Sequence, residues 1–348
     1  MSSNSARMPA LPVETLRAIA ILLLVSFHVI GGARTDGLGL AHPHPLRIYG
    51  DLFVDIRMPL FAFVAGVVYA LKPPRRGTLL PFLLGKFRRL AIPGITAITV
   101  FMAFGYAIDG RLPFQGQFWQ AYYRHYEIFW FLQVMLIIFP VLGLLDALTD
   151  GAVLWPALIL SLLAIAMGWS FDSEVMAANR ITHLLGYLLL GVAFIRHIEV
   201  LKTHHRLATA VGVSVFLAGL AMNLWIMQQT GRPSAERLDL QSLLFAGGAC
   251  MTAMLVLPRL HWLSWLGAFS LTIYLYHIIV TSGVRRALQA IDVESLAVHL
   301  LLGTAFGILL PVLVQVVAAR WQVTRLLVLG LRAHRPTLEL VPRRAAAN

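Results

Sequence analysis

The sequence predicts an all-α, polytopic transmembrane helical bundle of about ten spans, and three observations predict it. Hydrophobic residues make up 59% of the 348 and charged residues only 13%, where a soluble domain carries about 25% charge and about 45–50% apolar residues. Mean hydropathy is +0.77. Ten apolar runs approach the roughly 20 residues that a helix needs to cross a hydrocarbon core of about 30 Å. Lipid is the expected solvent, and one transmembrane domain over 13–319 is expected between a short N-terminal segment, 1–12, and a basic tail, 320–348.

The first run, 13–32, opens after Arg7 and carries Arg17. Its Gly31-Gly32-Ala33 end resembles a signal-cleavage site, but the run is of full membrane length, so a retained helix is expected. The second, 52–71, contains Asp55 and Arg57. The third, 90–108, is entered through Lys86, Arg88 and Arg89. The fourth, 128–146, follows Glu127. The fifth and sixth, 152–169 and 182–198, are short. The seventh and eighth are 207–228 and 240–257, and Cys250 lies in the latter beside Gly247 and Gly248. It is the single cysteine, so no internal disulfide forms and a buried, inert thiol is expected. The ninth, 263–283, carries Tyr274 and His277, and the tenth is 298–319.

The net charge of +12 does not indicate a nucleic-acid partner. If the N-terminus lies inside, seventeen Lys and Arg fall on the cytoplasmic side and nine on the other, the bias expected of membrane topology. Arg285-Arg286 falls on the unfavoured side. The expectation is a multi-pass protein of the cell inner membrane with both termini in the cytoplasm.

Ionisable groups inside spans are costly and tend to face a protein interior or a watery cavity. Eleven residues of helix place His28 about 16 Å beyond Arg17, so Arg17 sits near the cytoplasmic edge and His28 in the outer half. Arg17 is either a snorkelling anchor or a ligand-binding cation. His28 is either a hydrogen-bonded packing histidine or a base. Asp51, Asp55 and Arg57 open a helix that runs back inward, so Asp55 and Arg57 reach the depth of His28. Asp51 and Asp55 can share a face, whereas Arg57 looks elsewhere. The group forms either an interfacial belt or a carboxylate that orients the imidazole. Tyr274 and His277 share a face at similar depth. Glu127 and Trp130 stand at the outer start of the fourth span, as belt residues or cavity wall. Lys86, Arg88 and Arg89 satisfy positive-inside bias and also suit phosphates. There is no phosphate loop, no zinc-protease helix motif, no nucleophile elbow and no metal-ligand constellation.

Four elements in order resemble the membrane-bound acyltransferase 3 family, within it the fucose 4-O-acetylase-like branch. They are Arg17 with His28; Met58-Pro59-Leu60-Phe61-Ala62-Phe63-Val64-Ala65-Gly66; the basic run ending Arg89-Leu90-Ala91-Ile92-Pro93, followed by Trp130-Phe131-Leu132; and Leu266 through His277. The chain departs from the pattern at three positions: it reads Ala65-Gly66-Val67 where Ser-Gly and then an aromatic is usual, and Lys86 stands where arginine is common. The resemblance implies an O-acyltransferase that takes acyl-CoA, usually acetyl-CoA, as co-substrate with no bound cofactor, and transfers the acyl group to a hydroxyl of an extracytoplasmic glycan or glycolipid. From the depths of the residues themselves, His28 is expected to act as general base, with Asp55 orienting it. Arg17, Lys86, Arg88 and Arg89 would hold the donor. Arg57, Glu127, Trp130, Tyr274 and His277 would line the acceptor cavity. A transporter or flippase of a lipid-linked sugar is the alternative from another class, and a non-catalytic scaffold or sensor is a third.

Overall fold

A computed structural model describes residues 11–32 and 36–332. The expected N-terminal segment up to residue 10, with Arg7, and the tail beyond 332 lie outside the described residues. Helix makes up most of these, and no strand forms among the described residues.

Each expected run is helical, with edges set by local chemistry. Helix α1 (Val13–Ile30) holds no Gly or Pro and stops where Gly31 takes φ 93°. The second run starts earlier than expected, because Pro45 at the first helical position, where its missing N–H is tolerated, opens α2 (Pro45–Leu52). Phe53 then separates α2 from α3 (Val54–Leu71). That break undoes the expectation that Asp51 and Asp55 share a face. Asp51 instead pairs with His42 and Arg47, each at 2.9 Å.

Helix α4 (Leu79–Asp109) absorbs the basic run and the third span in 31 residues, about 46 Å of helix. The fourth and fifth runs become α5 (Trp130–Thr149) and α6 (Leu154–Ala166). The sixth becomes α7 (Ile181–Arg196), followed by the short α8 (Ile198–Thr203). Helix α9 (His205–Thr230) precedes α10 (Leu240–Val256), whose start is fixed by Asp239 accepting from the Ser242 N–H at 2.7 Å. The ninth run is broken into α11 (His261–Gly267) and α12 (Ser270–Ala290), bent by 72°. Helices α13 (Leu296–Ala318) and α14 (Gln322–Leu329) complete the fold. Among the described residues, seven spans could cross a membrane alone by length and apolarity, and the bent pair makes an eighth; α6 and α10 are shorter apolar helices.

The spans alternate in direction, so loops 36–44, 110–129, 167–180, 231–239 and 291–295 gather at one end, the far end below. Loop contacts hold it together: Arg285 donates to the Gly37 carbonyl at 2.9 Å, and Arg124 pairs with Glu174. At the N-terminal end the Thr15 hydroxyl lies 3.1 Å from that of Ser264 and accepts from the Leu260 N–H at 3.1 Å, tying α1 to α11.

Without a hydrophobic force between helices in lipid, close packing depends on small residues that let backbones meet. A Cβ on Gly66 of α3 would overlap the Leu188 carbonyl oxygen of α7, and one on Gly191 of α7 would overlap the Phe63 carbonyl oxygen of α3. Gly219 and Gly248 do the same between α9 and α10, and Gly267 presses on the Glu14 carbonyl.

Alanine normally stabilises a helix relative to glycine by up to about 1 kcal/mol. At Gly66 and Gly191 the sign reverses: Gly66→Ala and Gly191→Ala each lower stability by about 1–3 kcal/mol through overpacking. Gly105→Ala, in α4 with nothing within 4 Å of the added carbon, does not. Melting temperatures of the three purified variants in one detergent check this, and equal behaviour would refute the backbone contact.

Candidate functional site

His28 sits in the last turn of α1, at the far end of the bundle. Its half-buried ring lines a cavity of about 410 Å³ together with Arg57, Glu127, Trp130 and Tyr274. Four separate helix starts or ends supply these groups, so the cavity exists only when the bundle is assembled. Five sequence-predicted residues therefore share one space, and a sixth stands directly behind it. His277, fully buried on α12, places its ring 5.1 Å from that of His28, centroid to centroid.

The protonation of His277 follows from its neighbours. Its Nδ1 lies 2.9 Å from the carbonyl oxygens of both Ile273 and Tyr274. Carbonyls only accept, so Nδ1 carries a proton, and in the neutral ring Nε2 then keeps a lone pair. That Nε2 is buried with no hydrogen-bond partner, and the ring beside it is His28. Tyr274, one turn earlier, is turned away by donating its hydroxyl to the Ile128 carbonyl.

Arg57 is 4% exposed, with Cζ 3.6 Å above the centre of the Phe27 ring. An arginine over an aromatic face is attracted by the ring quadrupole, which fixes the guanidinium beside α1. Asp55 takes a different direction. Both its carboxylate oxygens are buried without a hydrogen-bond partner, and its charged neighbours are Asp239, Arg237, Arg57 and Glu236. Arg57 therefore faces the cavity with His28, while Asp55 points toward the start of α10.

Three further cavity residues lie outside the set expected from sequence. His183 of α7 is 2% exposed and its Nδ1 lies 3.2 Å from the Arg237 carbonyl oxygen. His125 and Arg237 come from loops. Burial, then the nearby Arg180 charge, pushes the His125 pKa down. The available signal was weak: His183 is an ionisable residue at the mouth of a short span, and the other two are ordinary loop residues in sequence.

The expected donor-side cations lie about 16 Å down α1. Lys86 has Arg89 and Arg17 as charged neighbours and rests its ammonium 3.4 Å above the centre of the Phe139 ring. Arg17 pairs with Glu14 at 2.9 Å. Arg88 is engaged elsewhere, donating through Nε to the Gly330 carbonyl at 2.9 Å. Three of the four cations gather, and Arg88 joins α4 to the end of α14.

A family model described as an acyltransferase domain matches residues 13–316, from the first residue of α1 almost to the end of α13. No curated protein and no solved structure matches the chain.

A cysteine placed on the cavity wall reports its access. Because Cys250 is 0% exposed, the native chain is silent to a membrane-impermeant maleimide. His125→Cys reacts when the reagent is added to the side that the 110–129 loop faces, and only from that side. Labelling from both sides, or none in the folded variant, would contradict the geometry.

Proposed function

From membership of the acyltransferase 3 family, to which this multi-pass membrane protein belongs, we propose that the chain transfers an acyl group, acetyl by preference, from acyl-CoA to a hydroxyl of a glycan or glycolipid, as in the fucose 4-O-acetylase-like branch. The N-terminal end of the bundle faces the cytoplasm and receives the donor. The far end faces outward from the inner membrane and receives the acceptor.

The observation that carries this reading is His28, on a cavity wall and backed by an imidazole whose Nε2 has no proton. A lone pair at that position is the natural acceptor for one N–H of His28. The other nitrogen of His28 is then left as a lone pair toward the cavity. In that tautomer it removes the proton from the attacking hydroxyl. The oxygen bonds to the thioester carbonyl carbon, the C–S bond breaks, and the thiolate of coenzyme A leaves. The proton held on His28 passes to the thiolate or to water, and the ring is restored.

The donor's phosphates meet Arg17, Lys86 and Arg89, where clustered cations give charge-assisted hydrogen bonds. Arg88 stands in a second row, occupied by Gly330. The pantetheine arm follows α1 from there toward His28. Asp55 acts on the charges of Arg57 and Arg237 rather than on the imidazole. Glu127, Trp130 and Tyr274 shape the acceptor's side of the space.

With labelled acetyl-CoA and membranes carrying the protein, His28→Ala loses about 10²–10⁴-fold in acyl incorporation, the usual share of a general base, with the melting temperature unchanged. Near-wild-type labelling by that variant would sink the mechanism. Arg89→Gln raises the KM for acyl-CoA roughly tenfold, the equivalent of one charged hydrogen bond, and Arg88→Gln changes it less. Initial rates against acyl-CoA concentration separate the two.

A further inference from the structure

Three arginines at the far end are left without a carboxylate. Arg57 is 4% exposed and its Nη1 is buried with no partner, and the Nε of half-buried Arg180 is in the same state. The Arg237 side chain makes no ion pair or hydrogen bond among the described residues. Arg57 and Arg237 wall the cavity that holds His28, and Arg237 and Arg180 wall an adjoining one of about 500 Å³. His183 is common to both.

Elsewhere the same chain pairs a half-buried arginine with a buried carboxylate. Arg196 reaches both oxygens of Asp146 at 2.6 Å, and Tyr69 donates to that carboxylate at 2.8 Å. The acids near the three arginines provide nothing comparable. The oxygens of Asp55 are themselves unbonded, and Asp239 caps α10. Glu236 is exposed, and Glu127 makes no ion pair among the described residues. Burial, followed by repulsion from Arg180, lowers the pKa of Arg237. A buried cation without a counter-charge is costly, and arginine's planar fork matches phosphate and carboxylate.

We propose that the acceptor carries an anionic group, a phosphate or a carboxylate, which sits among Arg57, Arg180 and Arg237 and so holds the hydroxyl to be acylated against His28. The inference rests on the acyl-transfer reading of this site and names the substrate class it takes. Neutral sugars lack the group that three unpaired cations select for. The anion also explains why one cavity carries both a base and so much positive charge: the charge binds, and the imidazole reacts.

The test uses the full chain in detergent and reads its melting temperature against glucose 1-phosphate, glucuronate and glucose. At least one anion stabilises the protein and glucose does not. Stabilisation by the phosphate alone assigns a phosphorylated or lipid-phosphate acceptor, by the carboxylate alone an acidic sugar, and by both a site that reads charge. Arg237→Gln and Arg180→Gln weaken anion binding roughly tenfold, about one charged hydrogen bond. Arg237→Lys, which keeps the charge, weakens it less and guards against a variant that fails to fold. Equal stabilisation by glucose, no stabilisation by either anion, or anion binding indifferent to both glutamine variants overturns the proposal. Binding needs no thioester, so anion binding without acyl transfer defeats the acyl-transfer reading, whereas transfer to neutral sugars without anion binding defeats only this inference.

Discussion

Everything at the far end depends on two glycines that let α3 and α7 touch backbone to backbone. Gly66 meets the Leu188 carbonyl and Gly191 meets that of Phe63. With any larger residue the helices would stand apart by at least a methyl group. Arg57, about two and a half turns before Gly66 on α3, and His183, about two turns before Gly191 on α7, would then no longer line one cavity. The family's usual Ser-Gly pair is Ala65-Gly66 here. The glycine makes the contact, so the substitution at 65 leaves the helix interface intact.

Charge is divided along the bundle. At one end Lys86, Arg89 and Arg17 form a cluster whose aromatic support, Phe139 beneath the Lys86 ammonium, partly replaces water. At the other, Arg57 rests on Phe27 near Arg237. The imidazoles of His28 and His277 lie toward the second group. The two cationic regions are separated by about 16 Å of α1, and the pair of imidazoles stands at the far end of that distance.

Much of this was legible in the sequence, for one physical reason. Ionisable groups in apolar runs announce themselves, so His28, Arg57, Tyr274 and His277 stood out against lipid-facing neighbours, and Glu127 and Trp130 stood at a span boundary. Depth followed from helical rise alone. The companions of each group were less legible. Asp55 was expected beside His28, but the break at Phe53 and the direction of α3 send it toward α10. Arg180, Arg237 and His125 read as ordinary loop residues, because their convergence depends on loops far apart in the chain meeting, as where His125 N–H bonds the Glu174 carbonyl and His183 reaches that of Arg237. Arg88 and Arg89 are adjacent in sequence and point apart because neighbours on a helix do.

His277 takes its instructions from its own helix. Both carbonyls that fix its Nδ1 proton belong to the preceding turn of α12, so the ring is committed to one tautomer as soon as that turn winds. No other helix has to arrive first, and none can reverse the choice by shifting. Loosening of the bundle would separate the two rings without scrambling which nitrogen of His277 bears hydrogen. The chemical identity of the pair is thus stored locally, and only its proximity is left to assembly.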